Sequence, residues 1–346
     1  SIRSPRFGSF FQAGSMQDLV TVFGGSGFIG NQVVRALARK GLRVRIAVRQ
    51  PNLAYKSRMM GDVGQVDVFQ ANVRNQDSVA RALEDAQGAV FLPGVAYKQG
   101  RQTFDSIHVE GAANVARAAK AGGVTALVHM SALGADANSA SAYARSKAQG
   151  EAAVREIFPA ATIMRPSVVF GPEDDFFNRF ARMAVLSPAL PLIGGGKTKF
   201  QPVFVGDVAQ AIARAATDAA CQGRTYELGG PVTYSFKELM ELILAETGRK
   251  RSLLPLPFGI AGLLGSMGDV MKLLVPPPIT SDQVTLLKTD NVVGPGAAGL
   301  AELGIAPTAV EAVVPSYLYR YRRGGQYADQ PERVPTTEVS SSTMGG

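Results

Sequence analysis

The stretch that decides the fold is VTVFGGSGFIG, at residues 20–30. Its apolar, β-branched beginning is typical of a buried strand, which we predict over Leu19–Phe23. A glycine-rich turn follows at once, and apolar residues then recur at helical spacing over Asn31–Lys40. A glycine-rich turn between the first strand and the first helix of a chain indicates the phosphate-binding turn of a dinucleotide fold.

The spacing of Gly24, Gly27 and Gly30 gives each glycine a separate task. The first allows a tight turn, the second lets the backbone approach a pyrophosphate, and the third lets the helix pack on the strand. The unpaired N–H groups of the first helical turn, near Phe28 and Ile29, would face the anion. We therefore predict cofactor contacts from these five residues.

Strand-like and helix-like segments alternate over the first half of the chain. This alternation predicts an α/β fold, a Rossmann-type doubly wound parallel sheet with helices on both faces. After the first helix the predicted segments are strand Arg43–Val48, strand Val66–Gln70, helix Gln76–Leu83, strand Ala89–Leu92, helix Val109–Ala121, strand Ala126–Met130, helix Tyr143–Ile157 and strand Ala161–Met164.

Beyond about residue 170 the alternation loosens, and prolines and glycines become denser. We expect short strands over Phe200–Val205 and Thr225–Leu228 and a helix over Phe236–Thr247. The predicted organisation is an N-terminal arm (1–17), an NAD(P)-binding Rossmann domain (18–170) whose sheet is completed by later segments, a smaller C-terminal lobe (171–323) and a polar tail (324–346).

Composition excludes several classes of protein. Of 346 residues, 46% are hydrophobic and 18% charged, so the chain can bury a sizeable core and is not disordered throughout. A single cysteine, Cys221, excludes a disulfide framework, and we expect its thiol to be inert. With only His108 and His129 available, no metal site is expected, and we predict structural roles for both histidines. No apolar run reaches about 18 residues, so a membrane-spanning helix is not expected.

The positive charge is concentrated near the glycine turn. Residues 19–61 contain no acid and eight bases, whose removal from the total of 36 leaves 28 bases against 28 acids. A nucleic-acid-binding protein usually spreads its charge along a face and adds aromatic residues for stacking. The pattern therefore favours a pocket for a phosphate-rich small molecule and no nucleic acid, with part of the charge on a solvated helix face.

The end of the second predicted strand indicates which nicotinamide cofactor is preferred. NAD sites usually carry Asp or Glu there to hold the ribose hydroxyls, but this chain has Arg49, and the next carboxylate is Asp62. A guanidinium suits a 2′-phosphate, so we predict NADPH rather than NADH. The alternative is that Arg49 is an ordinary surface residue near Arg45 and Lys56.

Two other segments are predicted near the cofactor by position alone. Asn72 and Val73 follow the third strand, where contacts to the adenine would lie. Leu92 ends the fourth strand over the expected path of the dinucleotide.

Tyr143 and Lys147 stand four residues apart on a predicted helix and so share a face. A nearby ammonium would lower the pKa of the phenol and allow acid–base chemistry, and the same ammonium could hold the cofactor ribose. Ser131, after the fifth strand, could polarise a carbonyl group. Its separation of twelve residues from Tyr143 is short for that role.

Four further features of the sequence are not assigned to the cofactor site. The segment Gly194–Thr198 resembles a phosphate loop, but Pro191 stands where the loop needs glycine, so we predict a turn. We expect Asp207 to cap a helix. Residues 253–279 are unusually apolar, and their apolar positions recur at helical spacing from Ile260 to Leu274, before three prolines at 276–278. This segment either packs inside the protein or faces lipid or a partner. A cluster of tyrosines and arginines over 317–323 suits an interface or anionic headgroups.

These features resemble the extended and atypical short-chain dehydrogenase/reductase families over about residues 18–320. Further matching stretches are MRPS (164–167), VFGP (169–172) and QPVFVGDVA (201–209). The chain is more closely similar to the family of nucleotide-binding accessory subunits of respiratory complex I, through the stretches NLAY (52–55), GDVGQ (61–65), QANVR (70–74) and FFNRF (176–180).

The second resemblance implies a bound NADPH that does not turn over, with Tyr143, Lys147 and Pro166 as cofactor ligands rather than catalysts. It also implies a peripheral-arm subunit that supports assembly and stability of the complex. Its location would be peripheral on the inner membrane, on the cytoplasmic face in a bacterium or the matrix face in a mitochondrion. Two alternatives stay open. One is a working NADP-dependent reductase or epimerase that uses Tyr143, Lys147 and Ser131. The other is a sensor that reports nucleotide redox state to a partner.

Overall fold

The computed structural model describes residues 18–94, 103–271 and 280–324. The predicted N-terminal arm, the polar tail beyond Gly324 and the three prolines at 276–278 lie outside the described residues. Within the described ranges no helix combines the length and the hydropathy needed to cross a membrane.

The described residues contain thirteen strands, seven of which form one parallel sheet in the order β11-β6-β5-β4-β1-β2-β3. The chain order reverses between β1 and β4, which creates the crevice where doubly wound folds bind ligands. The strands are β1 (Leu19–Phe23), β2 (Arg43–Val48), β3 (Val66–Gln70), β4 (Gly88–Phe91), β5 (Ala126–Met130), β6 (Thr162–Pro166), β7 (Val169–Phe170), β8 (Ala189–Ile193), β9 (Lys199–Phe200), β10 (Val203–Phe204), β11 (Thr225–Leu228), β12 (Tyr234–Ser235) and β13 (Ser252–Leu256).

α-Helices cover both faces of this sheet. They are α1 (Phe28–Arg39), α2 (Gln76–Ala82), α3 (Ala112–Ala121), α4 (Ala142–Ile157), α5 (Phe176–Leu186), α6 (Val205–Ala215), α7 (Phe236–Thr247), α8 (Phe258–Met271), α9 (Ser281–Leu286), α10 (Val310–Val313) and α11 (Pro315–Leu318). Asp105–Gly111 has π-helical hydrogen bonding and runs directly into α3.

Alternation along the strands assigns the two faces. Val20 and Val22 of β1 join a core with α1 and α6, whereas Leu19 and Phe23 join a second core with α2, α3 and α4. A third cluster, rich in phenylalanine, packs Phe177 of α5 against α7 and the C-terminal helices. The predicted fold class is confirmed, and the edge strand β11 shows that a late segment completes the sheet.

Several predicted elements differ from the structure. The single strand expected over Phe200–Val205 is two short strands, because Pro202 has no N–H to donate to a sheet, and Val205 already begins helix α6. The helix expected from Val109 begins at Ala112, after the π-helical turn.

The two candidate interaction surfaces have different outcomes. Ile260, Leu263 and Leu264 of α8 are 53%, 66% and 47% exposed, so these side chains are not packed in the chain's own core. The Tyr–Arg cluster, by contrast, is largely bonded internally. Tyr317 Oη donates to the buried Asp174 carboxylate at 2.5 Å, and Arg322 pairs with Glu246 on α7. Tyr317 and Arg322 therefore support the fold, while a contact of the exposed Tyr319, Arg320 and Arg323 with a partner or with headgroups stays a prediction.

Candidate functional site

The glycine turn has the geometry that its spacing predicts. Gly24 has φ +77°, a left-handed conformation that favours glycine. Its N–H donates to the carbonyl of Ala47 on β2 at 3.1 Å, and its own carbonyl accepts from Gly27 at 3.1 Å. These bonds fix the turn at the carboxyl ends of β1 and β2.

Gly30 and Gly27 differ in the space around them. A Cβ at Gly30 would overlap the Gly24 carbonyl and lie 2.7 Å from Gly25 Cα, so only glycine lets α1 approach the turn this closely. A Cβ at Gly27 would meet only the Gly24 carbonyl, at an ordinary 3.5 Å. Gly27 precedes α1 and is exposed, and no side chain caps the helix. The first-turn N–H groups, including those of Phe28 and Ile29, therefore lie beside open space that suits an anion.

Arg49 lies one residue beyond β2 and is exposed. The hydrogen bond from Gly24 to Ala47 puts the end of β2 beside the glycine turn. Arg45 is engaged elsewhere, since its guanidinium donates to the carbonyls of Ala82 and Glu84 at the end of α2. Its pKa is lowered by burial. This removes Arg45 as an alternative phosphate ligand, and the side chain of Lys56 lies outside the described residues.

The loops after β3 and β4 lie at the same edge. Leu92 N–H donates to the Phe23 carbonyl at 3.1 Å, so it lies directly beside the tip of β1. Asn72 accepts from the Arg74 amide, and Val73 accepts from the Asn114 side chain. The side chain of Asn72 thus shapes its own turn, and its predicted adenine contact stays a prediction.

Lys147 connects the helix that carries Tyr143 to the end of β5, next to Ser131. The buried Lys147 Nζ donates to the Met130 carbonyl at 3.4 Å, one residue before Ser131, and lies 5.8 Å from the centre of the Tyr143 ring. This bond places Lys147 beside the end of β5, and a role for Ser131 at the same centre as Tyr143 stays a prediction. Pro166 ends β6, and its carbonyl accepts from Leu133 in the loop after Ser131.

The pKa values differ from the sequence prediction. Burial, with Asp282 as a second cause, raises the pKa of Tyr143 to about 12. Burial lowers the pKa of Lys147 to about 8, opposed by Glu151. The prediction that Lys147 lowers the pKa of the phenol is wrong, because desolvation and a negative neighbour outweigh the ammonium.

His108 is a neighbour of this site that the sequence did not identify. Its ring lies on the π-helical turn, 5.5 Å from the Tyr143 ring and edge to face with it. Ser146 Oγ donates to the Tyr143 carbonyl at 2.7 Å, so His108 Nδ1 donates to Ser146 Oγ at 2.8 Å. Burial lowers the pKa of His108, and separately that of His129, to about 3, so both rings are neutral. π-Helical turns are frequent at functional sites. This turn could be recognised in the structure but not in the sequence.

Asp282, from α9, is the other residue that the sequence did not reveal. Its carboxylate accepts from Ser141 Oγ at 2.8 Å and from the amides of Ala142 and Tyr143 at 2.7 and 3.2 Å. The residue caps the helix that carries Tyr143 and Lys147 from about 140 positions further along the chain.

A dinucleotide fits the residues present. Ser131 Oγ is buried and has no hydrogen-bond partner among the described residues, which is the condition expected of a hydroxyl reserved for a bound molecule. The glycine turn is a backbone cradle that a Cβ at Gly27 would partly fill. In the described ranges no group of three or more His, Cys, Asp or Glu residues could hold a metal ion.

The remaining candidates are structural. Gly194 and Gly196 have positive φ, and a Cβ at either would collide with Phe258 or Lys237, so the predicted turn is confirmed as a packing turn. Asp207 lies in the first turn of α6, but its carboxylate accepts from Thr308 N–H and Oγ1 rather than from its own helix. The prediction that it caps α6 is therefore wrong. Cys221 is buried.

The sheet, the glycine turn and the Tyr143–Lys147 pair define a known class of protein. A model of the NAD dependent epimerase/dehydratase family matches residues 20–229, and the chain belongs to this family. It is similar to NADH dehydrogenase [ubiquinone] 1 alpha subcomplex subunit 9, mitochondrial, of Arabidopsis thaliana, with 35% identity over 329 residues that cover 92% of this chain and 82% of that protein. The Mus musculus protein of the same name is 35% identical over 306 residues, 88% of this chain and 80% of that protein. The chain is therefore a member of the same family as these subunits.

A solved structure supports the fold. Triphenylmethane reductase from Citrobacter sp., complexed with NADP(H), matches with a TM-score of 0.68 at 20% identity, over 86% of this chain and 99% of that one.

Proposed function

We propose that the chain is a non-catalytic, NADPH-binding accessory subunit of respiratory complex I. The observation that carries the cofactor assignment is the open backbone cradle at Gly24–Gly30 beside Arg49. The partner assignment is supported by the similarity to subunits named for NADH dehydrogenase [ubiquinone]. On the same basis we propose that it supports the peripheral arm and lies peripherally on the inner membrane, on the cytoplasmic or matrix face.

Different groups of the chain would bind different parts of the cofactor. The first turn of α1 would face the pyrophosphate, and Arg49 the 2′-phosphate. The Lys147 ammonium would hold the nicotinamide ribose. When bound, NADPH supplies a hydride at its nicotinamide ring. Leu92 and Pro166 lie at the ends of β4 and β6, next to the path between these groups.

The state of Tyr143 favours binding without turnover. A general acid works best with a pKa near the working pH, and that of Tyr143 is about 12. Burial therefore favours the neutral phenol, and the negative charge of Asp282 further opposes its ionisation.

Nucleotide extraction from the native assembly tests both parts of the proposal. The membrane complex is purified in mild detergent, and released nucleotide is identified by mass spectrometry. We expect this chain to co-purify with complex I and to release NADPH in near-equal amount. Release of the chain as a free monomer would contradict the partner assignment. Recovery of NADH without NADPH would contradict the cofactor assignment.

The alternative is an active NADP-dependent reductase or epimerase. It is favoured by one observation, the buried Ser131 hydroxyl without a partner among the described residues, which could bind a carbonyl oxygen. NADPH oxidation across a panel of carbonyl compounds, abolished in Tyr143→Phe, would establish it. Absence of oxidation across the panel would argue against it.

A further inference from the structure

Helix α9 holds the N-terminus of helix α4 through one carboxylate. Asp282 accepts hydrogen bonds from the Ser141 hydroxyl and from the Ala142 and Tyr143 amides. An acidic group at a helix N-terminus satisfies unpaired amides and favours the helix dipole. Ser141, the N-cap of α4, itself accepts from the Ala144 amide, and Asp282 binds both the Ser141 hydroxyl and the two preceding first-turn amides, including that of Tyr143.

Asp282 is in turn positioned by the apolar helix α8. A Cβ at Gly265 of α8 would lie 2.8 Å from Ser281 N and 3.0 Å from the Thr280 carbonyl carbon, so the two backbones are in close contact. Thr280 begins α9 with a capping box, its side chain accepting from Gln283. The contact at Gly265 therefore determines the placement of the first turn of α9, which includes Asp282.

Gly262, one turn earlier on the same helix, offers a direct comparison. A Cβ there would meet nothing within 4 Å. Alanine at either position raises the helix propensity of α8 by a similar amount. Any difference between the two substitutions comes from the contact with α9.

We infer that Asp282 is a positioning residue for the cofactor site, held by the contact between Gly265 and α9, so that the packing of α8 controls how Tyr143 and Lys147 meet a bound nucleotide. This inference concerns the same site as the proposed function, and its affinity measurement rests on that proposal.

The test measures NADPH dissociation constants of the full chain by fluorescence titration. The variants are Gly265→Ala, Gly262→Ala, Asp282→Asn and the double variant Gly265→Ala/Asp282→Asn. We expect Gly265→Ala and Asp282→Asn each to weaken binding about fivefold, the size of effect typical of losing a helix N-cap. Gly262→Ala should stay within about twofold of the unmodified chain.

The double variant separates positioning from general destabilisation. If Gly265 acts through Asp282, the double variant binds as weakly as Asp282→Asn alone, because coupled sites are not additive. Multiplied losses, or equal effects of Gly265→Ala and Gly262→Ala, would overturn the inference while leaving the proposed NADPH site intact.

Hydrogen exchange at the Ala142 and Tyr143 amides gives a readout that needs no cofactor. We expect faster exchange there in Gly265→Ala and Asp282→Asn and unchanged exchange in Gly262→Ala. If the unmodified chain failed to bind NADPH, the proposed function would fail, and these exchange rates alone would decide the role of Asp282. Unchanged exchange rates at these amides in both Gly265→Ala and Asp282→Asn would show that Asp282 is not a positioning residue.

Discussion

Replacing Gly27 by alanine separates folding of the glycine turn from nucleotide binding. Gly27 has φ −79° and ψ 178°, a conformation open to any residue, and its added Cβ makes one ordinary contact, with the Gly24 carbonyl. The variant should therefore fold. We expect a loss of about 0.5–1 kcal/mol, because alanine is a poorer N-cap than glycine.

The substitution should reduce NADPH affinity far more than it reduces stability, because the new methyl group occupies the space through which a pyrophosphate approaches the backbone. At a concentration one hundred times its dissociation constant, NADPH should stabilise the unmodified chain by about 2.7 kcal/mol. For a protein of this size that is a rise of about 4 °C in Tm. Gly27→Ala should gain less than about 1 °C at the same concentration.

Differential scanning fluorimetry with and without NADPH measures both quantities. Gly30→Ala is the contrasting variant, since its Cβ would collide with the backbone of the turn, and it should fail to fold. If NADPH raised the Tm of Gly27→Ala as much as that of the unmodified chain, the glycine turn would not be the pyrophosphate-binding site. A Gly27→Ala chain that does not fold would contradict the conformation and the space described for Gly27.

Three other predictions follow from the site and its supports. Arg49→Asp should weaken NADPH at least about tenfold more than NADH, the size of a lost charge-assisted contact; equal losses in titrations of both nucleotides would exclude Arg49 from the phosphate site. NADPH affinity should fall as pH rises through about 8, where Lys147 loses its proton, and this change should be absent in Lys147→Met. The stability of the nucleotide-free chain should rise between pH 8 and about pH 10.5, because over this range the unfolded state still holds the proton that folded Lys147 has lost. Tyr317→Phe should lower the free energy of unfolding in urea by about 1–3 kcal/mol through loss of the buried bond to Asp174, whereas the partly exposed Tyr319→Phe should change it little.

The sheet could be predicted because its information is local. The central strands β1, β4 and β5 are short, buried and mostly apolar segments, and three spaced glycines mark the turn after β1. The type and order of these elements therefore followed from patterns of a few residues. Strand bounds such as Arg43–Val48 and Ala126–Met130 agree with the structure. Helix α5 was not predicted, although its buried residues Phe177, Ala181 and Ala184 recur at helical spacing.

The supports of the site could not be predicted, because they join distant parts of the chain. Nothing local in the sequence links Asp282 to Ala142, or Tyr317 to Asp174. Such pairs form only when the C-terminal segments fold back onto the sheet. The sign of the Tyr143 pKa shift was predicted wrongly for the same reason: Lys147 is visible at four residues' distance, whereas burial and Asp282 are properties of the assembled fold.

The contacts of Asp282 also support the proposal that this reductase-like site binds a cofactor without turnover. The same carboxylate that stabilises the first turn of α4 makes an ionised Tyr143 more costly. An active enzyme of this type needs the helix firmly placed and the phenol easily ionised, and here one negative charge supports the first requirement and opposes the second. A protein selected to hold NADPH needs only the placement. The arrangement around Asp282 therefore agrees better with the proposed binding role than with the alternative of an active reductase.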